Sequence, residues 1–199
     1  MEYIGTSIAA ADGNVYNDNG GAWATVRALG TGTPQPSTDP VNIYASKLIS
    51  SSIGRGFIPF NTSTIGGGAR VTAGSLVINV SNKLGADGTI HLIQTTQASG
   101  TNLLSADYDN VAFSSGGSLP ITAAAKGTIV LNATALGWIN TTGTSFLGLI
   151  EDHDLTNTDP DPNDYRFEIN MTENATAANR PTLTLTYIPS GGYIGGKYY

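Results

Sequence analysis

The sequence predicts an all-β protein: an antiparallel two-sheet jelly-roll sandwich with short helical turns at its corners. Three observations carry this. About ten short apolar-alternating or β-branched segments recur along the chain, each bounded by Gly, Pro, Asn, Asp or Ser. No stretch keeps a helical period long enough to make a core helix. The 199 residues suffice for one sandwich with a real core and are too few for two comfortable domains. The expected organisation is one sandwich over residues 1–188 and a Gly/Tyr-rich tail over 189–199.

Taken in order, the strand-like segments are EYIGTSI, AWATVRAL, VNIYASKLI, IGRGFIPF, GSLVINV, TIHLIQT, GTIVLNA, SFLGLIED, YRFEIN and PTLTLTYI. The stretch RGFIPFNTSTI, residues 55–65, shows the grammar: Phe57 and Pro59 point one way, while Gly56, Ile58 and Phe60 point the other. It exits through a turn-rich NTSTIGGG, and VTAGSLVINV restarts the alternation with Leu76, Ile78 and Val80 on one face. The corners NLLSADYDN (102–110) and LNATALGWIN (131–140) each have room for one helical turn, with Ser105 or Asn132 accepting the first amide hydrogens. The segment GTGTPQPSTDP, residues 30–40, holds three prolines and no apolar residue, so it reads as an exposed loop. TNTDPDPND is an acidic counterpart. No internal repeat at a solenoid period is visible.

Composition narrows the function classes. Charged residues make up only 12% of the chain and the net charge is −6, so no basic footprint exists to hold a phosphate backbone, and nucleic acid is not an expected partner. With no cysteine, disulfides, thiolate nucleophiles and Cys-zinc sites are excluded. The N-terminus has an acid at position 2 and no basic region, unlike a secretory signal. No apolar run approaches the roughly 20 residues of a membrane-spanning helix, so no membrane association is expected. The Asn-x-Ser/Thr triplets at Asn61, Asn79, Asn132, Asn140, Asn170 and Asn174 are what a chain rich in Asn and Thr contains by composition.

Few residues offer chemistry. There is no G-x-S-x-G elbow, and His91 alternates with Ile90 and Leu92 on a strand, facing solvent or a polar pocket. His153 is crowded by Glu151, Asp152, Asp154, Asp159, Asp161 and Asp164, whose mutual repulsion a cation would relieve. The loop lacks the Gly and terminal Glu of an EF-hand. It is read as a solvated acidic loop, with a structural Ca2+ held by Asp159, Asp161 and Asp164 as the alternative. Among aromatics, Trp23 follows the turn DNGG and is the candidate half-exposed platform for a sugar ring, while Trp138, between Gly137 and Ile139, is expected in the core. The tail PSGGYIGGKYY displays Tyr193, Ile194, Tyr198 and Tyr199, amphipathic side chains suited either to docking on a neighbouring subunit or to folding back over the sandwich's end.

The pieces RGFIPFNTSTI, VTAGSLVINV, LLSADYDN, LNATALGWIN, FLGLIEDHDLTNTDP and NRPTLTLTY occur in one order that resembles the DNRLRE family, over roughly residues 45–188. In that family an Arg-led strand, a strand of alternating apolar residues and a closing "RP-L-V-Y" strand belong to a jelly-roll sandwich. The nearest likeness is to short members encoded by phage and other viral genomes. The resemblance implies that Arg55 begins a strand at the sandwich edge, its guanidinium held by carbonyls or a carboxylate. It also implies a non-enzymatic structural virion protein: a capsid decoration, fibre or tail accessory subunit made in the host cytoplasm, bound to other virion subunits or to itself as a homo-oligomer. The family also includes carbohydrate-binding modules and surface-protein repeats, so a glycan-binding or adhesive module at the extracellular surface is the alternative. A filament subunit is a third reading.

Overall fold

In the computed structural model, which describes residues 1–191, strands and single-turn helices alternate along the chain. They are β1 (Glu2–Thr6), β2 (Gly13–Asn17), α1 (Trp23–Arg27), β3 (Thr33–Pro36), β4 (Val41–Ser46), β5 (Ser52–Phe57), β6 (Phe60–Asn61), β7 (Arg70–Gly85), β8 (Gly88–Gln94), β9 (Ser118–Ile121), β10 (Lys126–Val130), α2 (Ala133–Leu136), β11 (Thr144–Ser145), β12 (Leu147–Glu151), α3 (Asp152–Thr156), β13 (Asp164–Ile169) and β14 (Thr182–Ile188). Three 3-10 turns, at Ser63–Ile65, Ser105–Asp109 and Ala177–Asn179, round further corners.

Twelve strands form one curled antiparallel sheet, in the order β1-β14-β7-β13-β4-β5-β12-β8-β9 with β10 on β7, β2 on β5 and β3 on β2; β6 and β11 make a small second sheet. The long strand β7 produces the curl. Leu76 lies opposite both Leu183 of β14 and Ile129 of β10, whereas beyond Val80 the strand pairs with β13. The sheet therefore curls over into a jelly-roll-like sandwich with open edges at β1, β3 and β9. Leu76, Ile78 and Val80, the alternating set expected from the sequence, meet Ile43, Phe60, Leu92, Leu149 and Phe167 in the main core. Each such side chain contributes roughly 1.5–3 kcal/mol by leaving water.

Strand β5 has no solvent face: all six of its residues are buried. On one side Ile53 and Phe57 join Val15, Trp23, Val26, Ala45, Leu103 and Tyr108 in a second apolar cluster, with Arg55 between them in the strand. On the other side the strand carries Ser52 and then only glycines, Gly54 and Gly56, which lets neighbouring strands lay side chains across its backbone. A Cβ at Gly54 would press on the Tyr44 ring and come within 2.8 Å of the Asn42 carbonyl oxygen.

Several elements differ from the sequence reading. AWATVRAL forms α1, not a strand, because Trp23 and Val26, three apart, share the buried side of a helical turn. The proline-rich 30–40 segment contains β3, an edge strand paired only with β2, where the missing N–H groups of Pro34 and Pro36 are tolerated. At the 131–140 corner Asn132 caps α2 as expected, accepting from the Ala135 amide at 3.0 Å. At the 102–110 corner the work falls to Asp107 in place of Ser105, through the amides of Leu104 (2.8 Å) and Ala98 (3.1 Å). Trp138 is half-buried at the border of the main core, not inside it. Of the tail, Ser190 donates its hydroxyl to the Gly67 carbonyl at 2.7 Å. Tyr193, Ile194, Tyr198 and Tyr199 lie outside the described residues.

Candidate functional site

The glycines of β5 open a polar cup. Successive strands place Asn14 and Tyr16 (β2), Gln35 (β3), Asn42 and Tyr44 (β4) and Arg166 (β13) around it, with Asp18 at the rim. The register explains the assembly: Tyr16 and Tyr44 both lie opposite Gly54, Arg166 lies opposite Tyr44, and Asn14 opposite Gln35. The hollow has a volume of about 150 Å³. A second polar hollow adjoins it, lined by Asn17, Asn19, Thr31 and Thr33 and sharing Tyr16 and Asp18 with the first. Tyr16, half-buried, is thus the ridge between two hydrogen-bonding compartments.

The cup's walls are fixed and its floor is not satisfied. The Tyr44 hydroxyl donates to Asp18 Oδ1 at 2.8 Å, and burial, followed by that aspartate, pushes the phenol's pKa well up, so it stays a donor. The Arg166 guanidinium stacks over the Tyr44 ring, 4.4 Å from its centroid. Asn14, 1% exposed, donates through Nδ2 to the Asn42 carbonyl at 3.0 Å, yet its Oδ1 has no partner. Arg166 Nε is also without a hydrogen bond, its nearest carboxylate oxygen being Asp164 Oδ1 at 3.6 Å. A buried amide oxygen left unpaired costs about 1–3 kcal/mol; Asn14 Oδ1 and Arg166 Nε are the unsatisfied groups among the side chains that line the cup.

The residues singled out in the sequence are placed elsewhere. Trp23 is not a sugar platform: it is 5% exposed and packed in the second apolar cluster. Arg55 is not at an edge but fully buried in a central strand. Its guanidinium is held by a carboxylate and carbonyls: Nε and Nη2 reach the two oxygens of Asp154 at 2.7 and 2.8 Å, Nη1 the Tyr108 carbonyl at 2.7 Å, and Nη2 the Arg27 carbonyl at 3.1 Å.

The crowded acids are drawn to different partners, only Asp159 and Asp161 sharing one. Asp154 goes to Arg55 and Arg27, Asp152 to His91, Glu151 to His153, and Asp159 and Asp161 to Lys47. Asp164 starts β13 beside Arg166. The repulsion that suggested a calcium ion is relieved by protein cations and imidazoles instead, and Asp159, Asp161 and Asp164 do not gather into a metal site; among the described residues no three acidic or imidazole side chains do. His153 stacks on Tyr165 at 4.1 Å and lies 3.1 Å from Glu151.

One constellation looks catalytic. His91 Nδ1 is 2.9 Å from Ser115 Oγ, and Nε2 is 3.0 Å from Asp152 Oδ1. Acyl transfer also needs amide donors for the oxyanion. The Gly116 N–H is spent on the Leu92 carbonyl at 2.7 Å and the Gly117 N–H on Ser115 Oγ itself at 3.3 Å. The trio braces the loop before β9 against β8 and α3.

The cup was missed because its residues span positions 14 to 166. A signal existed: Asn-x-Tyr occurs as NVY at 14–16 and NIY at 42–44, and alternation puts each Asn and Tyr on one face. Compared with protein-family models and with curated protein sequences, the chain matches none.

Proposed function

We propose that the protein is a non-catalytic binding module that holds a carbohydrate in the cup beside Gly54. The observation that carries this reading is a hollow lined almost entirely by hydrogen-bonding side chains, Asn14, Gln35, Asn42, Asp18 and Arg166, beside two tyrosines. A sugar supplies hydroxyls that both donate and accept, matching Asn14, Gln35, Asp18 and Arg166 together. Tyr16 provides the apolar flank for a ring face, and the second hollow beyond it has room for the next residue of a chain. Tyr16 takes over the platform role that the sequence assigned to Trp23.

A glycan array followed by calorimetry on the retained sugar tests this. Binding should be saturable, lost in Arg166→Ala and Gln35→Ala, and retained in Trp23→Phe. Failure to retain any glycan, or binding indifferent to the cup variants, would remove the reading.

The structural virion subunit is a second reading, compatible with the first in an adhesive fibre. It is supported by the order of the family-like motifs and by β1, whose outer edge is unpaired among the described residues and carries Ile4 at 63% exposure. Such an edge suits a neighbouring subunit or a second copy of this chain. Mass spectrometry of purified particles should find the chain at tens to hundreds of copies per particle if this reading holds.

A further inference from the structure

Of the four fully buried carboxylates, three are satisfied at both oxygens. Asp107 accepts from three donors, Glu151 from the amide and ring of His153, and Asp154 from Arg55 and Arg27. Asp12, 0% exposed, is the exception. Its Oδ2 accepts from Ser7 Oγ at 2.6 Å and from the Thr172 amide at 3.2 Å, while Oδ1 has no donor. Next to it lies Glu173, within hydrogen-bonding reach of Asp12, and both of its carboxylate oxygens are buried without a donor as well. Three buried carboxylate oxygens without a donor thus belong to one neighbouring pair of acids. Two buried anions in contact repel strongly unless a positive charge intervenes.

Among the described residues the fold supplies no such charge. No Lys, Arg or His pairs with Asp12 or Glu173 among the described residues. Asp39, from the loop before β4, adds to the negative field; its own oxygens are spent on Asn170, the Met171 amide and Asn174. Three loops, after β1, before β4 and after β13, thus bring acids far apart in sequence to one place. Burial and then the Asp12 charge push the Glu173 carboxyl up to about 7.

We propose that Asp12 and Glu173 bind a hard, oxygen-seeking divalent cation, calcium by preference. The donor set is all oxygen, which excludes the soft thiolate and imidazole metals and fits Ca2+. Asp12 Oδ1 and the Glu173 carboxylate supply the charge. The hydroxyls of Ser7 and Thr172, which already border Asp12, and water complete the shell. With two carboxylates and mostly neutral oxygens, the affinity belongs to the weak class of roughly 10⁻⁴–10⁻³ M. The ion would tie the segment after β1 to the segment after β13, next to the start of β2, the strand that carries Asn14 and Tyr16.

The test is thermal unfolding of the full chain at pH 7.5 after chelator treatment, with CaCl2 from 0.1 to 10 mM or with EDTA, on the order of the affinities above. Calcium should raise the Tm of the wild-type protein by a few degrees. The response should vanish in Glu173→Gln, which keeps the side chain's shape and, in EDTA, should be no less stable than wild type because the repulsion is gone. It should persist in the double variant Asp159→Asn, Asp161→Asn, which alters the acidic loop instead. Should Asp12→Asn fail to fold, Glu173→Gln still decides. The proposal is overturned if wild-type Tm is the same in calcium and EDTA, as it would be for a pair sharing a proton, or if the calcium response survives Glu173→Gln.

Discussion

Asp154 and Asp12 lie equally deep in the molecule, 1% and 0% exposed, and are treated in opposite ways. Asp154 meets a bidentate arginine from the middle of β5, backed by Arg27 and by the Tyr108 ring 4.2 Å from the Arg55 guanidinium carbon. Asp12 meets a second acid. The difference teaches what each region is for. The Arg55 node joins α1, β5, the 105–109 turn and α3 through one side chain that uses most of its donors, leaving nothing for a ligand. The Asp12–Glu173 pair has no counter-charge among the described residues, which is the gap the proposed cation would fill.

The largest effect should come from breaking the saturated side. Asp154→Ala leaves the Arg55 guanidinium buried among apolar groups with two carbonyls and no counter-charge, a loss of about 3–5 kcal/mol. Urea unfolding at pH 7 reads it directly. Replacing both partners together, Arg55→Met with Asp154→Leu, should recover a large part of the loss, because the cost lies in the stranded charge more than in the absent attraction. A loss below about 1 kcal/mol for Asp154→Ala would mean that water or Asp109 takes over the charge and that the node is not the brace described.

How much of this was readable beforehand depended on sequence distance. Local rules worked. Alternation placed Phe57 apart from Ile58 and Phe60, and Asn132 declared its helix turn by a cap one residue before it. The Trp23 segment failed because α1 begins at Ala22 with no capping side chain, so nothing local separated one helical turn from a short strand. The cup and the Asp12–Glu173 pair failed for another reason: register and loop placement bring together positions 14 with 166 and 12 with 173, and no local pattern encodes the curl of a sheet. Crowding in sequence was misleading in the same way. Of six acids within fourteen residues only Asp159 and Asp161 share a partner, while two acids 161 positions apart, from 12 to 173, proved to be in contact.

The smallest effect belongs to charges that are paired but exposed, a third regime between the two buried acids. Lys47 bonds to Asp159 and stands 3.7 Å from Asp161, with a third or more of each acid in water. The hydrogen bond to Lys47 holds the Asp159 carboxyl below its usual 3.8, so whatever stability the pair gives is present above about pH 4 and fades only as the pH falls through that lowered value. Solvent and salt screen such a pair. Asp159→Asn should therefore leave the urea midpoint at pH 7 unchanged within measurement, and any small difference from wild type should shrink as the pH is taken progressively below 3.8 or in 1 M salt. A loss at pH 7 comparable to that of Asp154→Ala would break the ranking of buried over exposed pairs. It would show that the loop from Thr156 to Asn163 is anchored by charge, since Lys47 already joins its amide to the Asn163 carbonyl at 3.0 Å.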